Sequence, residues 1–138
     1  MLAFIGREGL AFEGFHLFAG SQNLRAESIC EAQHKSYELA LRLAAHAPTP
    51  VKFLNLGGGF GIPYFPGEQR LDLAPIASNL AAICERAQRE LPLAHIVIEL
   101  GRYLVGESRR ARRTSRSAPR GMARPRWTGA VRAWPAAR

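Results

Sequence analysis

The stretch LNLGGGFGIPY at residues 54–64 decides the fold of this chain, because it joins a strand-forming run to three consecutive glycines. The run from Val51 to Leu56 is rich in apolar and β-forming residues and predicts a buried strand. Glycine adopts positive φ without steric cost, so the glycines indicate a sharp turn where the backbone approaches another group closely. Successive N–H groups in such a turn form an anion site, which favours a phosphate as that group. A tight strand-to-helix turn that binds no ligand is the alternative interpretation.

Basic residues concentrate at one end of the chain. The 138 residues, enough for at most one ordinary domain, carry a formal net charge of +8. Residues 1–107 hold all 11 acidic residues and 9 of the 19 Lys and Arg residues, whereas residues 108–138 hold ten Arg residues and no acid. The tail is either a disordered basic arm for nucleic acid or the product of a shifted reading frame. Its Arg, Ala, Pro, Gly and Ser composition favours the frameshift, so we do not expect nucleic-acid binding.

Three predicted strands, each followed by a loop, alternate with two predicted helices before this tail. The predicted strands are residues 11–18, 51–56 and 95–100, and the predicted helices are residues 25–47 and 73–91. Long helices between apolar strands favour a parallel sheet covered by helices. A polar or glycine-rich cluster follows each strand, at the edge where barrels and open α/β sheets bind ligands.

Two further patterns exclude other classes of protein. Cys30 and Cys84 lie in helical patterns without metal-ligand spacing, which predicts reduced, buried cysteines and no metal site. No segment approaches the roughly 20 apolar residues of a membrane span, and Met1 to Gly6 is too short for a signal sequence. We therefore expect a cytoplasmic protein that does not associate with membranes.

Three motifs together resemble a known enzyme family. They are GFHLFAGSQ at residues 14–22, LGGGFG at residues 56–61 and ELGRYLV at residues 99–105. In order and spacing they resemble signatures of the fold-type III pyridoxal-phosphate decarboxylases, which include the diaminopimelate, ornithine and arginine decarboxylases. The sequence around Phe18 and Asn23 is similar to that of the diaminopimelate-like branch found with exopolysaccharide and exosortase systems. The resemblance implies an α/β fold: residues 1–107 form part of a (β/α)₈ TIM barrel with parallel strands, followed by an irregular basic tail at residues 108–138.

The resemblance implies that the cofactor is pyridoxal 5'-phosphate, an electron sink for the carbanion left when CO₂ departs. It assigns Glu99 to the ring nitrogen, where a carboxylate keeps the pyridine protonated; a surface salt bridge is the alternative. Phe18 stands where the family usually has a histidine stacked on the ring. His16 lies two positions earlier on the same strand face, so it either lines the site or is a core histidine with satisfied hydrogen bonds.

The phosphate-binding residues follow from the same resemblance. It assigns the phosphate to Gly58, Gly59, Gly101 and the Ser21 hydroxyl, with Arg102 nearby. A guanidinium meets a phosphate bidentately, which suits Arg102 to this role. The alternative is that Arg102 is a solvated charge after a strand.

The family's Schiff-base lysine has no counterpart in this sequence. The lysines are Lys35, in a helical pattern, and Lys52, at the start of the second strand, and neither matches the family motif. A complete barrel also needs roughly 250 residues. We therefore expect a fragment of an amino-acid decarboxylase, a carbon–carbon lyase that is homodimeric in the parent family and acts on a small amino acid. We predict no catalytic residue in this chain and no activity of the chain alone.

Other functions remain as alternatives. One is a small α/β binding module whose basic arm holds nucleic acid. Others are an alanine racemase or a pyridoxal-phosphate homeostasis protein, which the ELGR sequence at residues 99–102 disfavours because a carboxylate at the ring nitrogen suits a strong electron sink. A dinucleotide-binding site is disfavoured because the third glycine of its fingerprint would fall at Ile62.

Overall fold

The structure, a computed structural model, describes residues 1–106. The expectations for residues 108–138, a disordered Arg-rich tail that arises from a frameshift or binds nucleic acid, lie outside the described residues.

Helices and strands alternate along the described chain. The elements are α1 (Leu2–Arg7), β1 (Gly14–His16), α2 (Ala26–Ala44), β2 (Phe53–Asn55), α3 (Ala74–Glu90) and β3 (His95–Val97). Residues 101–106 are also helical. The three strands form one parallel sheet in the order β1-β2-β3. The predicted α/β fold with parallel strands is thus confirmed, and consecutive parallel neighbours are the arrangement found in part of a (β/α)₈ barrel.

The strands are shorter than the sequence predicts. Near the start of β2, the amides of Lys52 and Phe53 both donate to the carbonyl oxygen of Glu13, and this sharing interrupts the regular ladder. At the other end single hydrogen bonds continue the pairing, such as Leu56 N–H to the Val97 carbonyl and Glu99 N–H to the Gly57 carbonyl. The strand backbones therefore stay aligned beyond the regular strands, up to the loops that follow them.

The two faces of the sheet have different surroundings. Leu54 is fully buried against the helices, among Tyr37 from α2 and Ile83 from α3. The neighbouring Phe53 points to the opposite face, as strand geometry requires, and is 44% exposed. It lines an open cavity of about 740 Å³ together with His16. Within residues 1–106, the core lies between the sheet and its helices, and the other face is open.

The prediction of two buried cysteines is wrong for Cys84. Cys84 is exposed and Cys30 is partly buried, and both thiols are free. The buried positions of α3 are Ile76, Ile83 and Ala87, and the position after Ile83 faces solvent.

The described residues contain no helix long and apolar enough to cross a membrane. Residues 1–106 also lack any group of three His, Cys, Asp or Glu side chains placed to hold a metal ion.

Candidate functional site

The segments that follow β1, β2 and β3 meet at one cavity of about 170 Å³. All seven residues that the resemblance assigns to the cofactor line this cavity: Phe18, Ser21, Gly58, Gly59, Glu99, Gly101 and Arg102. The remaining lining residues are Gly20, Gln22, Phe60 and Leu100. Residues separated by more than 80 positions in the sequence thus share a single site at the carboxyl edge of the sheet.

Two of the three consecutive glycines pack against the segment after β1. Gly57 has φ +76°, and a Cβ there would lie 2.5 Å from the carbonyl oxygen of Leu17. Gly59 has φ +81°, and a Cβ there would lie 2.5 Å from the carbonyl oxygen of Gly20. A side chain at either position would be strained by its backbone conformation and would also collide with the neighbouring loop.

Gly58 packs in the other direction, against the segment after β3. A Cβ at Gly58 would coincide with the backbone carbonyl of Glu99. The close approach that the sequence predicts is therefore made by the protein's own backbone, on both sides of the glycine loop. The glycines let the three strand-end segments come close enough to enclose one cavity.

Several backbone donors around this cavity are free. Within residues 1–106, the amides of Gly58 and Gly59 donate no hydrogen bond, whereas the amide of Gly57 donates to Asn55 Oδ1 at 2.8 Å. Gly101 and Arg102 open the helical residues 101–106, and the first N–H groups of a helix have no partner inside the helix. These amides are the donor type that binds an anion.

The Glu99 carboxylate is held by two side chains from neighbouring strands. Asn55 Nδ2 donates to Glu99 Oε1 at 2.8 Å, and His16 Nε2 lies 3.5 Å from Glu99 Oε2. Glu99 is paired, but its side chain is 54% exposed. The His16 side chain is 57% exposed, which rules out a core histidine and places it beside the cavity's carboxylate.

Asn55 is a site residue that the sequence reasoning missed. It is 6% exposed at the end of β2, and its amide oxygen and nitrogen bind Gly57 and Glu99 respectively, each at 2.8 Å. An asparagine inside an apolar run was the available signal, because buried polar groups are almost always hydrogen-bonded.

Aromatic and cationic groups complete the cavity. Phe18 is 75% exposed and offers an open ring face. Arg102 Nη1 donates to Gln22 Oε1 at 3.2 Å, and its guanidinium lies 5.9 Å from the Tyr64 ring centroid. Amides, a hydroxyl and a guanidinium at one cavity, with a carboxylate and an aromatic ring beside them, fit a phosphorylated, protonated heteroaromatic ring.

Both lysines lie away from the cavity. Lys52 Nζ pairs with Glu13 Oε1 at 3.3 Å near the start of β2, and Lys35 pairs with Glu31 one turn away on α2 at 2.6 Å. Neither lines the site that Gly58 and Arg102 share.

Comparison with known proteins identifies the family. Residues 1–106 match the family described as pyridoxal-dependent decarboxylase, pyridoxal binding domain. The chain is 34% identical over 98 residues to L-glutamyl-[BtrI acyl-carrier protein] decarboxylase of Niallia circulans, covering 70% of this chain and 23% of that protein. It is 35% identical over 101 residues to diaminopimelate decarboxylase of Thermoplasma acidophilum, covering 73% and 24% respectively.

The Staphylococcus aureus diaminopimelate decarboxylase gives a similar result, with 34% identity over 104 residues, 72% of this chain and 23% of that protein. The chain thus spans about a quarter of the length of the curated relatives it matches. With the three strand-end motifs lining one cavity, the match shows that the chain belongs to the fold-type III pyridoxal-phosphate-dependent decarboxylases, whose cofactor is pyridoxal phosphate.

Proposed function

We propose that residues 1–107 are the part of an amino-acid decarboxylase that binds the phosphate and the pyridine ring of pyridoxal phosphate. The observation that carries this proposal is the convergence of all seven expected cofactor residues on one cavity from three separate strand ends. A turn that only reversed the chain would not need Ser21 and Arg102 beside the same glycines.

The phosphate is bound by neutral and charged donors together. Gly58 and Gly59 supply amides that have no partner within residues 1–106, Gly101 supplies an amide at the start of a helical segment, and Ser21 supplies a hydroxyl. Arg102 supplies the positive charge, and its planar fork of donors matches two phosphate oxygens.

Glu99 and Phe18 would hold the pyridine ring, the carboxylate at the ring nitrogen and the aromatic side chain at the ring face. When bound, the cofactor supplies an electron sink for the charge left by decarboxylation. Glu99 stabilises the proton on the ring nitrogen, and Asn55 and His16 orient the carboxylate through the contacts at 2.8 and 3.5 Å. Phe18 would pack against the ring face and exclude water from it.

The complete enzyme acts on an amino acid or an aminoacyl group, since relatives of this chain are named as decarboxylases of diaminopimelate and of a glutamyl group on a carrier protein. This chain contributes binding residues but no lysine for the cofactor, because neither Lys35 nor Lys52 lines the cavity. We include in the proposal the homodimer that the resemblance implies and the cytoplasmic location that the sequence predicts. The chain alone therefore binds the cofactor without decarboxylating amino acids.

The test is a titration of the full chain with pyridoxal phosphate and, separately, with pyridoxal, which lacks the phosphate. We expect the phosphorylated compound to bind at least about tenfold more tightly, and Arg102→Ala to remove most of that difference. Arg42→Ala, an exposed arginine on α2, is the matched control for the loss of one positive charge. Equal affinities for both compounds, or equal losses in both variants, would contradict the proposal.

A further inference from the structure

Gln22 has an unusual backbone conformation for its residue type. It is the one non-glycine residue with positive φ in the described chain, at φ 57°. Residues other than glycine seldom adopt this left-handed conformation, and they keep it where the surrounding structure fixes them. Gln22 follows Ser21 and lines the proposed phosphate cavity, where its side-chain contacts fix its backbone conformation.

The Gln22 side chain joins all three strand-end segments. Its Nε2 donates to the Ile62 carbonyl oxygen at 2.6 Å, and its Oε1 accepts from the Ile62 amide at 3.4 Å. The same Oε1 accepts from Arg102 Nη1 at 3.2 Å. One amide group thus connects the loop after β1 to the glycine loop and to the segment after β3.

We propose that Gln22 is a positioning residue that holds the Arg102 guanidinium in place for the phosphate, an inference that rests on the proposed function. The two hydrogen bonds to Ile62 fix the side-chain amide of Gln22. The Oε1 atom of that amide then fixes the Arg102 guanidinium. Tyr64, whose ring centroid lies 5.9 Å from the guanidinium carbon, limits the movement of Arg102 further.

A neutral amide suits this task better than an acid. A guanidinium has five N–H donors, so the single hydrogen bond to Gln22 leaves the others for an anion. A glutamate at position 22 would neutralise the charge of Arg102 and could not donate to the Ile62 carbonyl. Glutamine therefore orients the Arg102 guanidinium without neutralising its charge.

The first experiment measures the effect of the Gln22–Arg102 hydrogen bond in the absence of cofactor. The side-chain Nε–H signal of Arg102 is followed by ¹⁵N relaxation in the full chain and assigned with Arg102→Lys. We expect a rigid signal in the unmodified protein and a mobile one in Gln22→Asn. Asparagine tolerates the left-handed backbone but is one methylene shorter than glutamine. This variant therefore keeps the local conformation, but its side-chain amide no longer reaches Arg102. An Arg102 signal equally mobile in both proteins would overturn the inference.

The second experiment is a double-mutant cycle on affinity for pyridoxal phosphate. We expect Gln22→Asn to weaken binding by about threefold to tenfold, to have little further effect when Arg102 is already Ala, and to leave pyridoxal binding unchanged. A loss of similar size for both compounds, or one that persists without Arg102, would mean that Gln22 is merely structural. Absence of cofactor binding by the unmodified chain would instead reject the proposed function, and the relaxation result would then decide the Gln22–Arg102 contact on its own.

Discussion

Gly58 has no space for a side chain, since a Cβ at this position would coincide with the backbone carbonyl of Glu99. Backbone atoms cannot rotate away as a flexible side chain can, so the two segments would have to separate. We predict that Gly58→Ala lowers the free energy of unfolding by more than about 3 kcal/mol, as measured by urea denaturation. Gly101→Ala is the matched control, because a Cβ at position 101 would have no heavy atom of another segment within 4 Å, and it should change stability by less than about 0.5 kcal/mol. Similar losses in both variants would contradict this account.

Asn55 supports the site through one buried and one partly buried hydrogen bond. Asn55→Leu keeps the size of the side chain but leaves the buried Gly57 amide without an acceptor and removes one of the two side chains that hold Glu99. We predict a loss of about 1–3 kcal/mol of unfolding free energy in urea denaturation. A stability equal to that of the unmodified chain would show that water or another group replaces these bonds.

Motif residues could be predicted from the sequence, but their supporting contacts could not. Phe18, Ser21, Glu99 and the glycines stand in short recognisable patterns. Gln22 binds partners 40 and 80 residues away, and Asn55 binds Glu99 at a separation of 44 residues, so no local pattern reveals either contact. The glycines predicted a close approach correctly, but the sequence could not show that the approaching group is the backbone of a neighbouring loop.

At the scale of the elements, β2 carries its buried and exposed side chains on opposite faces. Leu54 is fully buried and Phe53 is 44% exposed. We predict that Leu54→Ala costs about 2–5 kcal/mol of unfolding free energy because it leaves a cavity between sheet and helices. Phe53→Ala should cost clearly less despite removing a larger side chain, in the same denaturation experiment. The reverse order would mean that the sheet packs through its other face.

A polar cluster links α2 to α3. Tyr37 Oη donates to Glu90 Oε2 at 2.8 Å, and this hydrogen bond, with help from Arg86, holds the pKa of Glu90 below its ordinary value of 4.5. A lowered folded-state pKa adds stability above pH 4.5, and that stability is lost as the pH falls through the lowered value. We predict that Tyr37→Phe reduces the drop in melting temperature between neutral and acidic pH. Glu31, whose pKa is lowered by Lys35, titrates equally in both proteins and cancels from the comparison. An unchanged pH dependence would contradict the proposed linkage.

Helices were predicted more accurately than strands. The second predicted helix, residues 73–91, differs from α3 by one residue at each end. Its long apolar stripe and the flanking Pro92 define it locally. The strands depend on pairing with distant residues, and the shared Glu13 carbonyl that shortens the ladder leaves no mark in the sequence. The six-residue helix α1 is too short for a periodic pattern to reveal it.

For the whole molecule, the proposed function requires three strand ends to act as a single phosphate site. The chain covers about a quarter of the length of its relatives, yet the elements around this site lie within residues 1–106. This arrangement follows from the sheet order, because β1, β2 and β3 are direct neighbours and their carboxyl ends lie at the same edge.

The most direct test is a ¹H–¹⁵N correlation spectrum of the full chain during titration with pyridoxal phosphate. We predict that the largest shifts fall on the amides of Gly58, Gly59, Gly101 and Arg102, and that pyridoxal without its phosphate perturbs these amides far less. Largest shifts at the opposite ends of the strands, around Lys52, or only within residues 108–138, would contradict this prediction.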